Sequence, residues 1–166
     1  MLATDAPAAA GLLVRRPPAG RGTTTLWFAA SRPPLDEPTL VLDGEGTGPI
    51  NHLAVLDRVA PTYAPPGASL VAANVIGVPE AGDAELTAAA LSQLWRWFGN
   101  GVSGWRLLRL QRIRHALPAG APLVAPEGLV LAGDHVTSAS LHGALLSGRL
   151  AAERVLAELG IGGSAA

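Results

Sequence analysis

Cysteine is missing from the 166-residue sequence, which excludes disulfide bridges, thiolate metal ligands, cysteine nucleophiles and a cysteinyl link to any cofactor. Lysine is missing as well, because all twelve basic residues are arginine. The formal net charge of −1 gives no reason to expect a nucleic-acid partner. The apolar runs are too short to span a bilayer, and no basic stretch followed by an apolar core opens the sequence. We therefore expect a soluble, cytoplasmic protein.

Apolar residues make up 49% of the chain, which is ample for a packed core. In the first half, stretches of apolar, β-branched and aromatic residues alternate with Gly/Pro-rich turns, a spacing that predicts an antiparallel sheet. These stretches read TTTLWFAAS, TLVLDGEG, INHLAVLDRV and SLVAANVIGV. The later stretch WRLLRLQRIRHALP predicts a further strand.

Helices are predicted at three places. Residues 1–13 indicate the end of a strand, a turn and a short helix, with Asp5 as its cap and Pro7 in its first turn. A helix from Asp83 to about Phe98 is predicted by its apolar period and by the Gly-Asn-Gly that ends it. A short buried strand, GLVLAG, then precedes a long helix over residues 141–159. The order of elements indicates an α+β fold.

The stretch from Gly128 to Gly148 carries the most chemistry. A strand ends at Gly133-Asp134, where glycine permits a ligand to approach the backbone and the carboxylate can accept hydrogen bonds from ribose or ribityl hydroxyls. Either Ser138 or Ser140 can cap the helix that follows. The free amides of the first turn of this helix belong to Leu141, His142 and Gly143. They would then face an anion or an electron-rich ring edge. On the same helix, small residues recur at every fourth position and would permit close packing of a cofactor or helix, at Ala144, Gly148 and Ala152.

This stretch resembles the carboxy-terminal flavin motif of the FAD-dependent amine oxidase and phytoene desaturase superfamily. In that motif a strand ends in Ala-Gly-Asp or Ala-Gly-Glu, and Ser-x-x-Gly-Ala-x-x-Ser-Gly and an Ala-rich helix follow. The corresponding residues here are 132–134, 140–148 and 151–152. More loosely, the segment GPINHLAVLDRVAPTYAPPGASLVAANVIG is similar to the substrate domain of desaturase-like members, and LATDAPAAAGLL is similar to the end of their nucleotide-binding domain.

The resemblance implies a mostly antiparallel substrate-domain sheet with flanking helices, together with the last strand and helix of a Rossmann-like FAD-binding domain. Residues 1–14 would end the nucleotide-binding domain, residues 15–118 would form the substrate domain, and residues 119–166 would supply the carboxy-terminal strand and helix of the FAD site. The resemblance further implies hydride transfer from a hydrophobic substrate to non-covalent FAD. Peripheral contact of the protein with a membrane is compatible with the resemblance. The implied cofactor-binding residues are Gly133, Asp134, Ser140, Leu141, His142, Gly143 and Ala144; the sequence assigns no catalytic residue.

A dinucleotide-binding turn is missing from the sequence. The superfamily holds the ADP half of FAD on a Gly-x-Gly-x-x-Gly turn between a strand and a helix. The nearest candidate spans Gly44 to Gly48, but its spacing differs and Pro49 and a strand pattern follow it, so we expect a hairpin turn there. We therefore expect an amino-terminal FAD-binding chain or domain as partner, without which this chain is inactive.

A second interpretation stays open, in which the chain is a non-catalytic remnant or a module that binds a lipophilic ligand or another protein. An apolar face left by a missing domain would favour self-association into a homo-oligomer. We expect no metal site, because no pair of the four histidines has ligand spacing with carboxylates on one helical face. All four histidines are expected to face solvent or to bond to the backbone, and the arginines from 106 to 114 to form a solvated strand face.

Overall fold

The computed structural model describes residues 1–161. The described chain divides into two compact units, one formed by residues 22–114 and the other by residues 1–21 together with residues 115–161. The strands are β1 (Leu2–Ala3), β2 (Gly20–Ala30), β3 (Leu40–Leu42), β4 (His52–Val55), β5 (Ser69–Ile76), β6 (Arg106–Pro118) and β7 (Leu131–Ala132). The helices are α1 (Ala6–Leu12), α2 (Leu56–Val59), α3 (Asp83–Phe98) and α4 (Leu141–Glu158), with short 3-10 turns at Pro61–Tyr63 and Gly99–Val102.

Residues 22–114, which we call the sheet unit, contain most of a five-stranded sheet in the order β3-β4-β5-β2-β6. Strand β3 is antiparallel to β4, β4 to β5, and β5 to β2, as the turn spacing predicts. Along β2 and β5, side chains alternate between the core and the opposite face, because successive residues of a strand point to opposite sides. The core side packs against α3, and the buried apolar residues are Leu26, Phe28, Ala30, Ile50, Leu53, Val55, Val71, Ala73, Val75, Ala90, Leu94 and Val102.

Helix α3 has the bounds that its sequence period predicts. Leu86, Ala90 and Leu94 are buried on one face, and Gly99 ends the helix with a φ of 60° that favours glycine. Between β3 and β4, the predicted hairpin connection forms because the Asp43 carboxylate accepts from the amides of Glu45 and Gly46. The glycine-rich run is therefore a turn between antiparallel strands and does not precede a helix.

Two predicted strands are shorter than expected. The stretch INHLAVLDRV leaves the sheet after Val55 and forms α2, because the buried carboxylate of Asp57 accepts from the Ser69 hydroxyl at 2.6 Å and from the Leu70 amide at 2.9 Å. The stretch GLVLAG forms a strand only at Leu131–Ala132.

The other unit, which we call the β1–β7 unit, is built on two parallel strands. Leu2 lies opposite Leu131 and Ala3 opposite Ala132. Its apolar cluster is small, with Val155 packed against the buried Val130, Ala132 and Ala151. The fold is thus mixed, with an antiparallel sheet, a small parallel sheet and flanking helices. Within residues 1–161, no helix combines the length and the apolar character needed to cross a membrane.

Candidate functional site

A cleft of about 410 Å³ opens where the two parallel strands of the β1–β7 unit end. Because β1 and β7 run in the same direction, their carboxyl ends lie at one edge, which is where open parallel sheets bind ligands. The residues that follow the two strands line this cleft together with two small residues of α4. They are Ala3, Thr4, Asp5, Ala132, Gly133, Asp134, Ala144 and Gly148.

Gly133 occupies a position that only glycine fits. Its φ is 153°, in the region that side-chain-bearing residues rarely adopt. A Cβ at Gly133 would lie 2.5 Å from Cε1 of His135 and 2.8 Å from the carbonyl oxygen of Thr4. The strand end therefore offers bare backbone to the cleft, as the sequence predicts for this glycine.

Two carboxylates follow the strands, and the structure gives them different surroundings. Asp5 caps α1, and its Oδ1 accepts from the Ala8 amide at 2.8 Å. Asp134 has a side chain that is 26% exposed, and no donor of residues 1–161 lies within hydrogen-bond distance of its carboxylate. It also lines a small recess of about 70 Å³ together with Asp5 and His115. Of the two carboxylates, Asp134 is the one free to accept hydrogen bonds from a polyol.

Helix α4 begins at the predicted place, and Ser140, not Ser138, is its cap. The Ser140 hydroxyl accepts from the Gly143 amide at 2.9 Å. Thr137 donates to the Gly143 carbonyl at 2.8 Å, and a Cβ on Gly143 would overlap the Ser138 carbonyl. The amides of the first turn, which include those of Leu141 and His142, have no acceptor within the helix.

The predicted site residues therefore fall into two groups. Gly133, Asp134 and Ala144 meet at the cleft, and Gly148 of the small-residue stripe joins them. Ser140 and Gly143 shape the first turn of α4, and Leu141 and His142 are exposed there; none of these four lines the cleft.

Ser147 supports the Gly133–Asp134 segment, and sequence reasoning missed both this role and the burial of His135. The buried Ser147 hydroxyl accepts from the Gly133 amide and donates to the Ala144 carbonyl, each at 2.8 Å, and so ties the strand end to α4. The serine within the flavin-like motif was the available signal for this contact. His135 is 4% exposed, and neither ring nitrogen has a hydrogen-bond partner among residues 1–161. The expectation of a solvent-facing or backbone-bonded histidine is wrong for this residue, because the ring is buried, lies close to Gly133 and has no hydrogen-bond partner among residues 1–161.

In the sheet unit, the buried carboxylate of Asp57 is held by hydrogen bonds. Burial raises the pKa of Asp57, but the hydrogen bonds from Ser69, Leu70 and Arg58 together lower it by more. The pKa of Asp57 therefore lies below the usual aspartate value. Arg112 pairs with Asp83 and donates to the Ala81 carbonyl, which corrects the expectation of a wholly solvated arginine face. No group of three metal-ligating side chains occurs in the described part of the chain.

An apolar recess of about 210 Å³ lies within the sheet unit, between the Tyr63–Pro65 turn and the strands. Ala29 and Leu70 line it from β2 and β5, and Arg106 and Leu108 line it from β6. Sequence reasoning placed a substrate pocket along this sheet but did not single out these residues.

Comparison with known proteins gives both a family and a fold. The family described as "Flavin containing amine oxidoreductase" matches residues 20–156. An oxidoreductase from Methanosarcina mazei is similar in structure, with a TM-score of 0.64 and 19% identity over 82% of this chain and 35% of that one. A protein from Exiguobacterium sp. 255-15, provisionally assigned as a protoporphyrinogen oxidase, gives a TM-score of 0.63 and 18% identity over 95% of this chain and 40% of its own. The PF1083 protein from Pyrococcus furiosus gives a TM-score of 0.52 and 15% identity over 98% of this chain and 37% of its own.

These likenesses at low identity concern the fold, and the chain spans 35% to 40% of the length of the solved structures. No curated protein sequence matches the chain significantly.

Proposed function

The chain belongs to the flavin-containing amine oxidoreductases, and from that premise we propose that it is the carboxy-terminal portion of an FAD-dependent oxidoreductase. In this proposal it supplies the second side of a non-covalent FAD site and a wall of the substrate pocket. An amino-terminal dinucleotide-binding unit, on another chain or domain, supplies the first side. When bound, FAD would supply the hydride acceptor, and the protein would contribute binding, orientation and exclusion of water.

The observation that carries the proposal is the cleft at the carboxyl ends of β1 and β7. A flavin nucleotide has a polyol chain, a negatively charged pyrophosphate and a flat ring, and the residues here suit such a molecule. Asp134 offers a carboxylate that no donor of residues 1–161 reaches, and carboxylates accept well from hydroxyl groups. Gly133 and Gly148 leave the cleft without a Cβ at two positions, which permits close approach to the backbone.

The first turn of α4 is the second element that we assign to the cofactor. Its exposed amides carry the partial positive charge of a helix amino terminus, which stabilises anions and negative charge on a ring edge. Ser140 fixes the direction of this turn, and Ala144 gives the helix a small residue where it borders the cleft. We therefore assign FAD binding to Gly133, Asp134, Ser140, Leu141, His142, Gly143 and Ala144.

We propose a hydrophobic substrate because the recess beside the Tyr63–Pro65 turn is lined mainly by apolar side chains. Arg106 at its border would meet an acidic or other polar end of such a molecule. An apolar pocket with few polar groups is the usual design of a small-molecule site.

The experiment that tests this function is the flavin absorbance retained after incubation with FAD and desalting. It is run on the whole chain alone and after mixing with a candidate protein that carries a strand followed by Gly-x-Gly-x-x-Gly. We expect retention with that partner, and loss of retention in Asp134→Ala. Asp36→Ala is the matched control, because Asp36 is an exposed carboxylate of the sheet unit outside the cleft.

Equal retention by the Asp134→Ala variant would refute the assignment of the cleft. Absence of retention in every mixture, with the chain folded by circular dichroism, would support the alternative of a binding module without redox activity.

A further inference from the structure

His135 is the unusual group of the β1–β7 unit. A buried imidazole normally has a partner for each nitrogen, because an unmade hydrogen bond in a dry site is costly. Here both nitrogens are enclosed and without a partner among residues 1–161. The side chain itself is 1% exposed, so solvent does not replace the missing contacts.

The nearest carboxylate belongs to the adjacent residue. Nδ1 of His135 lies 3.9 Å from Oδ1 of Asp134, about 1 Å beyond a normal N–H···O distance. The Asp134 side chain is partly exposed and has no other partner within residues 1–161, so a small rotation can close this gap. The histidine ring cannot move as easily, because it is almost fully buried and lies close to Gly133.

We propose that His135 is a positioning residue for Asp134, and that its Nδ1–H donates to the Asp134 carboxylate. The contact fixes one oxygen of the carboxylate and leaves the other for a polyol hydroxyl. It also fixes the tautomer, because the nitrogen that donates must carry the proton. The role of the contact in cofactor binding rests on the proposed function, whereas the contact itself does not.

Nuclear magnetic resonance of the labelled full chain tests the contact without any cofactor. We expect the ring nitrogens of His135 to report the Nδ1–H tautomer, and Asp134→Ala to remove this preference. His142 is exposed at the start of α4 and serves as the internal reference. An Nε2–H tautomer that is the same in both proteins would overturn the proposal.

Substitutions of His135 test its effect on the cofactor. Asn places a donor near the position of Nδ1, Gln places one near Nε2, and Phe keeps the ring shape without a donor. We expect FAD affinity to fall about ten-fold in His135→Phe, as for a lost hydrogen bond to a charged group, and to be restored by His135→Asn more than by His135→Gln. The thermal midpoint of His135→Phe should be equal or higher, because the variant removes the buried Nε2, which has no partner among residues 1–161, and water can hydrate the partly exposed Asp134 carboxylate.

This opposite movement of affinity and stability is what a purely structural histidine would not produce. Loss of both together in His135→Phe, with no rescue by Asn, would contradict the positioning role. If the wild-type chain retains no FAD with any partner, the proposed function fails, and the tautomer measurement still decides whether His135 and Asp134 pair.

Discussion

The two units of the chain bury their side chains very differently. The sheet unit encloses large residues such as Phe28, Leu53 and Leu94 completely. The β1–β7 unit encloses mostly small ones, and its helix α4 leaves several leucines exposed, namely Leu141, Leu145, Leu150 and Leu156. Apolar surface removed from water is the main source of folding free energy, at about 25 cal/mol per Å². The sheet unit is therefore expected to be stable by itself, whereas we expect the stability of the β1–β7 unit to increase more when a ligand or partner binds to it.

The buried polar groups repeat this contrast. Gln93 of the sheet unit is fully buried, yet its side chain accepts from the Ile50 amide at 2.7 Å and donates to the Ile50 carbonyl at 3.0 Å. His135 of the β1–β7 unit has no such partner among residues 1–161. A satisfied buried group is typical of structure, and an unsatisfied one invites a functional explanation. The unsatisfied buried group therefore lies in the less well packed unit, which is the unit to which we assign the cofactor cleft.

The largest effect is expected from a cavity in the sheet unit. Leu53→Ala should lower the free energy of unfolding by about 3 kcal/mol, because Leu53 is fully buried. Val130→Ala, in the β1–β7 unit, removes fewer atoms from a smaller cluster and should cost about 1 kcal/mol. Urea unfolding followed by tryptophan fluorescence separates the two, since all four tryptophans lie within residues 22–114. A shift of the tryptophan transition in Val130→Ala would mean that the two units unfold as one, because Val130 lies outside the unit that holds the tryptophans.

The next effect concerns pH. The pKa of Asp57 is lower in the folded protein than in the unfolded chain. The contribution of this carboxylate to the free energy of unfolding is therefore complete above the unfolded pKa of about 3.9, and it is lost as the pH falls through the lower folded pKa. Asp57→Asn should therefore cost about 1–2 kcal/mol at neutral pH, and wild type and variant should become equally stable in strong acid. Urea denaturation between pH 2 and pH 7 measures the difference. A difference independent of pH would show that the charge of Asp57 does not contribute.

The smallest effect on stability tests the cleft. Gly148→Ala and Gly11→Ala both replace a helical glycine at which an added Cβ meets nothing within 4 Å. Each should raise the free energy of unfolding by about 0.5–1 kcal/mol. Only Gly148 lines the cleft, so Gly148→Ala alone should weaken FAD retention with a competent partner. Equal retention by both variants would remove Gly148 from the site.

Sequence reasoning succeeded where a local signal is strong. The period of α3, the capping residue Asp5 and the glycine at position 133 all predict what the structure contains, and the cap of α4 is one of the two serines that the sequence offered. It failed where tertiary contacts override local preference. Leu56–Val59 follows a strand pattern but forms α2, because Ser69 and Leu70 hold Asp57 from another strand. Likewise, no local pattern predicts that His135 is buried, since its burial depends on how the chain packs around the ring.

The parallel pairing of β1 with β7 also has a consequence for the order of folding. Leu2 pairs with Leu131, so the partner of the second residue is separated from it by the whole sheet unit. Closing such a long loop costs entropy before any contact is gained, whereas residues 22–114 contain their own hairpins and core. The sheet unit can therefore fold from its own contacts first. The cleft at the ends of β1 and β7 forms later, once the two distant segments have met.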